Sequence, residues 1–343
     1  MKAVVIHAAK DLRIEEHAPG KPGPAQVAIA IKRGGICGSD LHYYRHGGFG
    51  AIRLREPMVL GHEVAGEISA IGANVTNVAV GDIVAVNPSR PCGACSFCQK
   101  GLHNHCLDMR FYGSAMRMPH VQGAFQQHLV ADASQCHRVA AGVEIGEAAF
   151  AEPFAVTLHA IVRAGSLANK KILVTGCGPI GALAITAARL HGAHELIATD
   201  VSDFTLGLAR RMGADHTINV ATAPEAMNVL KAGKGTIDVV IEASGNETAL
   251  RTGLECLKPR GILLQLGLGG DINVSQNMIV AKEIELRGSF RFHEEFALAV
   301  DLINRRRVDL KPLLTEVVPM QEAVKAFELA SDRSQAMKVQ LAF

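Results

Sequence analysis

The stretch Lys171-Ile-Leu-Val-Thr-Gly176-Cys-Gly178-Pro179-Ile180-Gly181, with the run Glu195-Leu-Ile-Ala-Thr-Asp200 after it, decides the fold. An apolar run of strand length enters a glycine turn and continues as an Ala- and Leu-rich helical segment to about Leu190. Glycine triplets alone are weak signals. A triplet between a strand and a helix, with an acid closing the next strand 19 residues beyond Gly181, is a specific one. Gly176, Gly178 and Gly181, with Pro179 and Ile180 between them, allow the turn, the approach of a pyrophosphate and the packing of helix on strand. Asp200 can accept both hydroxyls of a ribose. A 2′-phosphate would be repelled by Asp200 and by Asp203, so NAD is favoured and NADP is the alternative.

Outward from this unit the alternation continues. Asp215–Asn219, Ile237–Glu242 before Ala243-Ser-Gly245, and Gly261–Leu266 before Gly267 read as further strands. The expectation is an α/β protein with a doubly wound dinucleotide-binding domain over residues 153–288. Residues 1 to about 90 read instead as short strands, Ala3–His7, Gln26–Lys32, His62–Ile71 and Ile83–Val86, with one helical stretch near Gly38–Tyr44. After residue 288 an amphipathic helix, Glu294–Asn304, leads to a tail too small for its own core. The domains expected are therefore 1–152 with 289–343, β-rich, and 153–288. A chain of 343 residues is long enough to core both. Gly146 to Gly165 has helical periodicity that Glu152-Pro153 is expected to break, because a residue before proline is driven out of the helical region. Glu152 is then either a helix-start glutamate favoured by the macrodipole or a carboxylate turned away from the helix.

Two clusters suggest metal. Cys92, Cys95 and Cys98 are each two residues apart and Cys106 follows after seven more, a spacing that wraps four thiolates around one tetrahedral ion. An iron–sulfur cluster is the weaker reading, since the fourth cysteine is not at the short ferredoxin spacing and no proline follows it. Four sulfurs leave no open position, so the loop 92–106 is expected to be a structural zinc site, with His103 and His105 as surface histidines. The second cluster, Cys37 with His62 and Glu63, would make an open zinc site with one position left for water. A core cysteine beside two unrelated polar residues is the alternative.

Composition narrows the classes. Hydrophobic residues at 48% and charged residues at 20% fit a soluble globular protein. A net charge of +2, no Trp and few aromatics supply no surface for nucleic acid, and no apolar run is long enough for a membrane helix. Met1-Lys-Ala-Val-Val-Ile runs into a strand without the apolar core of a signal peptide, so a cytoplasmic location is expected. In that setting eight cysteines point to metal or catalysis rather than disulfides.

The four-cysteine loop, Gly61-His62-Glu63 and the glycine triplet together resemble the zinc-containing medium-chain dehydrogenase/reductase family over essentially the whole chain. Glu152 resembles the polyol dehydrogenase branch, where alcohol dehydrogenases have a cysteine. The resemblance implies a Rossmann domain beside a GroES-like catalytic domain, one catalytic and one structural zinc, and a dimer or tetramer built on the dinucleotide-binding sheets. It implies that Cys37, His62 and Glu152 hold or neighbour the catalytic zinc, with Glu63 a ligand directly or through water. Ser39 would take the substrate proton and His42 pass it to solvent, a surface histidine being the alternative for His42. Asp40 would orient His62 through its second nitrogen, a simple turn aspartate being the alternative. Tyr43 and Arg291 look like the family's substrate contacts. Arg33–Tyr44, Asp108–Met116 and Arg287–Phe292 resemble a sugar-acid dehydrogenase within the branch, for which Arg291, Arg110 or Arg117 would grip the carboxylate. The partner expected is a small sugar acid or polyol. A non-catalytic NAD-binding protein would have lost a zinc ligand or Ser39, and all are present.

Overall fold

Six parallel strands form the sheet that the glycine turn predicts, in the spatial order His216–Asn219, Glu195–Asp200, Lys171–Thr175, Ile237–Glu242, Leu257–Gln265 and Glu285–Gly288. The chain starts in the middle, winds to one edge, then returns and winds to the other. This puts the reversal between Lys171–Thr175 and Ile237–Glu242, where open α/β sheets bind ligands. Both faces are covered, so the central strands read as unbroken apolar runs. Leu173, Ile197, Val240, Leu254 and Leu263 are all buried in this core, each contributing roughly 1.5–3 kcal/mol.

A computed structural model describes every residue except Pro19. The chain forms two compact units, Met1–Glu152 with His293–Asp332 and Lys338–Phe343, and Pro153–Phe292 with Arg333–Met337. Residues 289–292 and 333–337, expected in the β-rich part, thus belong to the dinucleotide unit.

The first unit is built on a mixed sheet whose centre is Gln26–Gly35. Glu63–Ile71 runs antiparallel on one side of it and Lys338–Ala342 antiparallel on the other. The register brings Glu63 opposite Gly35, and Gly35 opposite Gln340. Strand Gln26–Gly35 then passes through Ile36 and Cys37 into the helix Gly38–His46. Three strand ends, distant in sequence, therefore converge where Cys37 begins a helix. A small second sheet, Asp11–Glu16, Lys2–Ala8 and Met58–Val59, leads the chain toward His62.

The expected break at Glu152-Pro153 is not where the helix is interrupted. Ile145–Ala148 and Ala151–Ala164 are separate helices, with Glu152 and Pro153 inside the first turn of the second. Proline is tolerated there because a first-turn N–H has no intrahelical acceptor to lose.

Candidate zinc and dinucleotide sites

Cys37 is the N-cap of helix Gly38–His46, and its backbone N–H donates to Asp40 Oδ2 at 2.9 Å. Asp40, fully buried, also accepts from the Gly61 N–H at 3.2 Å through Oδ1. One carboxylate thereby ties together the backbones that carry Cys37 and His62. Its distance to His62 Nδ1 is 3.8 Å, too long for a hydrogen bond, so the expected orienting contact is not formed directly. His62 Nδ1 is buried with no hydrogen-bond partner among the described residues.

One ligand atom each from Cys37, His62 and Glu63 lies within 4.8 Å of the others, a group able to hold a metal ion. The buried orphan nitrogen and the thiol–imidazole–carboxylate donor set fit zinc. Glu63 has room because residue 35 is glycine: a Cβ there would overlap the Glu63 carboxylate. Lys338 Nζ bonds both Glu63 oxygens, at 2.9 and 2.8 Å, and the Ile36 carbonyl at 3.2 Å. Both residues of this pair are buried. Burial opposes the charge on Lys338, but Glu63 and Cys37 carry its pKa above the ordinary lysine value. Nothing in the sequence analysis anticipated this partner; the available signal was a lysine inside the apolar strand Lys338-Val-Gln-Leu-Ala342. A carboxylate offers about four lone-pair directions, so Glu63 can keep Lys338 and still face a metal.

Glu152, 6% exposed, stands outside that tight group. Burial pushes its carboxyl up to about 8, with His62 opposing and Glu63 and Cys37 reinforcing the shift. Burial likewise pushes the Cys37 thiol up to about 11, while a hydrogen bond from Ser39 works against it. Ser39 is thus beside the thiol in the first helical turn. His42, one turn on, is exposed, with its ring 5.8 Å from Phe49 and 6.2 Å from His46. Partial desolvation, then His46 and Arg45, lower its pKa. Tyr43 is 1% exposed and its hydroxyl accepts from the Ala115 N–H at 2.9 Å, so it braces the segment after Arg110 from within.

The second cluster forms as its spacing predicts. The sulfurs of Cys92, Cys95, Cys98 and Cys106 lie within 4.8 Å of one another. Backbone N–H groups already point at them: Cys92 N–H at Cys106 Sγ (3.1 Å), Cys95 N–H at Cys92 Sγ (3.4 Å) and Leu107 N–H at Cys95 Sγ (3.5 Å). Such donors stabilise thiolates, and those from Cys98 and Leu107 bring Cys95 down to about 6. His105 is exposed as expected, but His103 is not a free surface histidine. Its Nδ1 is buried and its ring stacks on His293 at 3.8 Å.

In the dinucleotide unit, Gly178 caps the helix Pro179–Leu190, with Pro179 at its first position. Gly176 has φ +84°, and a Cβ on Gly181 would overlap the Gly176 carbonyl. Among the described residues a Cβ at Gly178 would meet only the Arg333 guanidinium, 3.2 Å away, which puts a cation beside the glycine turn. Sequence reasoning missed Arg333 because it returns from the far end of the chain. Asp200 Oδ2 accepts from the Cys177 N–H at 2.6 Å and Oδ1 from Val201 and Ser202 at 2.7 and 3.1 Å, fixing the carboxylate at the strand end. Arg291, also in this unit, has φ +54° and stacks on the Phe290 ring at 5.0 Å. Arg117 is committed to Asp108 at 2.8 Å and to the carbonyls of Met109 and Leu107.

An open thiol–imidazole–carboxylate group, a four-thiolate group and a doubly wound sheet with a glycine turn define the class of zinc-dependent dehydrogenases. Residues 23–141 match the alcohol dehydrogenase GroES-like domain and residues 179–305 the zinc-binding dehydrogenase domain. The chain belongs to the zinc-containing medium-chain dehydrogenase/reductase family. It is 43% identical over 316 residues to the L-idonate 5-dehydrogenase (NAD(P)(+)) of Escherichia coli K-12, covering 92% of this chain and 91% of that one. The sorbitol dehydrogenase of Gallus gallus is 33% identical over 99% of this chain and 95% of its own. The crystal structure of Escherichia coli K-12 L-idonate 5-dehydrogenase superimposes with a TM-score of 0.95 at 40% identity, covering 100% of this chain and 98% of that one.

Proposed function

We propose that this protein oxidises the C5 hydroxyl of L-idonate to 5-dehydro-D-gluconate, with hydride passing to NAD, or to NADP less readily. The observation that carries the substrate reading is the 43% identity to an L-idonate 5-dehydrogenase, against 33% to a sorbitol dehydrogenase of similar coverage. Cys37, His62 and Glu63 would hold the catalytic zinc, and Cys92, Cys95, Cys98 and Cys106 the structural one. Bound zinc supplies a Lewis acid that lowers the pKa of a substrate hydroxyl from ~16 toward ~7, and bound nicotinamide supplies the hydride acceptor.

The chain's own residues do the rest. Lys338 holds Glu63 facing the site without itself titrating near neutrality. Glu152, with a pKa near 8, holds a proton beside the site and can hydrogen-bond the substrate oxygen. Ser39 relays the hydroxyl proton, accepting it as its own hydroxyl proton is passed on, and His42, exposed and neutral, takes up the relayed proton and delivers it to water. Asp200 takes the ribose hydroxyls, and Asp200 with Asp203 disfavours a 2′-phosphate. Arg291 grips the carboxylate that distinguishes an aldonate from a polyol, with Arg110 as the second candidate now that Arg117 is engaged. The chain would work as a dimer or tetramer in the cytoplasm.

Initial rates with NAD and NADP on L-idonate, D-sorbitol, xylitol and L-threonine, using zinc-replete protein, test this. A preference for L-idonate supports the reading, and Arg291→Ala should then raise KM for idonate about tenfold or more. A preference for sorbitol or xylitol would retain the zinc and hydride chemistry and discard the carboxylate grip.

A further inference from the structure

Glu242 ends the strand Ile237–Glu242, on the far side of the sheet's reversal from Asp200. It has no exposed surface. Every contact to its side chain comes from a donor. Oε1 accepts from the Ser244 N–H at 2.8 Å, the Gly245 N–H at 3.1 Å, the Thr175 hydroxyl at 3.4 Å and the Ser244 hydroxyl. Oε2 accepts from Gln265 Nε2 at 2.6 Å and from the Gly245 N–H at 3.0 Å. Such a set of partners is the complement of a carboxylate, which accepts only. Among the described residues it has no ion pair with Lys, Arg or His.

A buried anion without a cation is uncommon, because burying a charge is costly unless it is paired. Its position suggests what compensates it. A dinucleotide lies across the reversal point, one mononucleotide on each half of the sheet. The glycine turn and Asp200 serve the adenosine half, which leaves the ends of Ile237–Glu242 and Leu257–Gln265 to the nicotinamide half. The Glu242 backbone carbonyl also accepts from Leu266 and Gly267, at 2.8 and 2.9 Å, so one residue binds both strand ends together. The nicotinamide ring is a cation in NAD⁺ and neutral in NADH. A fixed carboxylate in surroundings that screen poorly stabilises the first and not the second.

We propose that Glu242 acts as an electrostatic positioning residue that makes the protein favour oxidised over reduced cofactor. The proposal rests on the dinucleotide reading above and concerns residues that touch neither zinc site. The test is titration of zinc-replete full-length protein with NAD⁺ and, separately, NADH, by calorimetry or cofactor fluorescence. Glu242→Gln should raise the Kd for NAD⁺ about tenfold and that for NADH by less than about twofold, the effect of one lost charge at short range. Gln265→Lys, which would place a cation beside the intact carboxylate, should shift the ratio of the two constants in the same direction. Glu242→Asp should keep the wild-type ratio even if both affinities fall. Equal weakening of both cofactors by Glu242→Gln would reduce the residue to a structural brace and overturn the proposal. So would an unchanged ratio in folded Gln265→Lys. Wild-type protein that binds neither NAD(H) nor NADP(H) would instead overturn the dinucleotide reading itself.

Discussion

Glu63 and Glu152 are both buried carboxylates near one thiol, and Lys338 makes them different. The Glu63 carboxylate is fixed in direction by two bonds from one ammonium; the Glu152 carboxyl, pushed up to about 8 by burial, keeps its proton near neutrality. Glu63→Gln should therefore lower the zinc content toward one ion per chain. Glu152→Gln should retain both ions and lose about 10²-fold or more in kcat, the usual scale for a lost acid–base group. Metal analysis beside steady-state rates separates the two; loss of metal in Glu152→Gln would exchange their roles. Lys338→Met leaves a buried carboxylate uncompensated and should destabilise metal-free protein by about 3–5 kcal/mol in urea unfolding. At this scale the sequence was a fair guide to residue type but not to partnership. Cys37, His62 and Glu63 were recognisable because thiol, imidazole and carboxylate bind one metal, whereas Lys338 lies 275 residues from Glu63 and carries no local mark of the pairing.

Elements set the tolerances around those residues. In strand Gln26–Gly35 the last position faces Glu63 so closely that Gly35→Ala must displace the carboxylate. The expected result is weakened catalytic zinc with the sheet intact, read as metal loss without loss of the unfolding transition. The glycine turn offers a paired comparison. Gly181→Ala forces a methyl into the Gly176 carbonyl and should cost about 1–3 kcal/mol of stability along with cofactor binding. Gly178→Ala meets only a movable Arg333 and should fold normally while weakening dinucleotide affinity. Thermal midpoints and NAD titrations would show the difference, and equal destabilisation by both would refute it. The helix near Glu152 was legible as a helix, but its boundary was not. Proline before an apolar run looks the same in sequence whether it breaks a helix or sits in its first turn, and only the path of Ala149 and Phe150 decides.

For the molecule as a whole, proton release should be visible in the pH profile. His42 is held below the ordinary histidine value of ~6.5. In the proposed relay its neutral form is the acceptor, so the contribution of His42 is fully present above that value and is lost as pH falls through the lowered pKa. His42→Gln should abolish this acidic limb and reduce kcat about tenfold near pH 7, with partial recovery in concentrated imidazole buffer. An unchanged limb would assign it to another group.

The alternation of strands and helices, the glycine turn and the four-cysteine loop were determined by the sequence alone, because each is written in residues that are neighbours along the chain. Periodicity and short spacings survive translation into structure whatever the rest of the molecule does. The tertiary structure alone decided that Lys338 meets Glu63, that Asp40 ties Cys37 to Gly61, that Arg333 lies at the glycine turn and that, among the described residues, Glu242 is buried without a cation. Those facts depend on which strand edges pair and in which register. A single step of register turns every side chain to the opposite face.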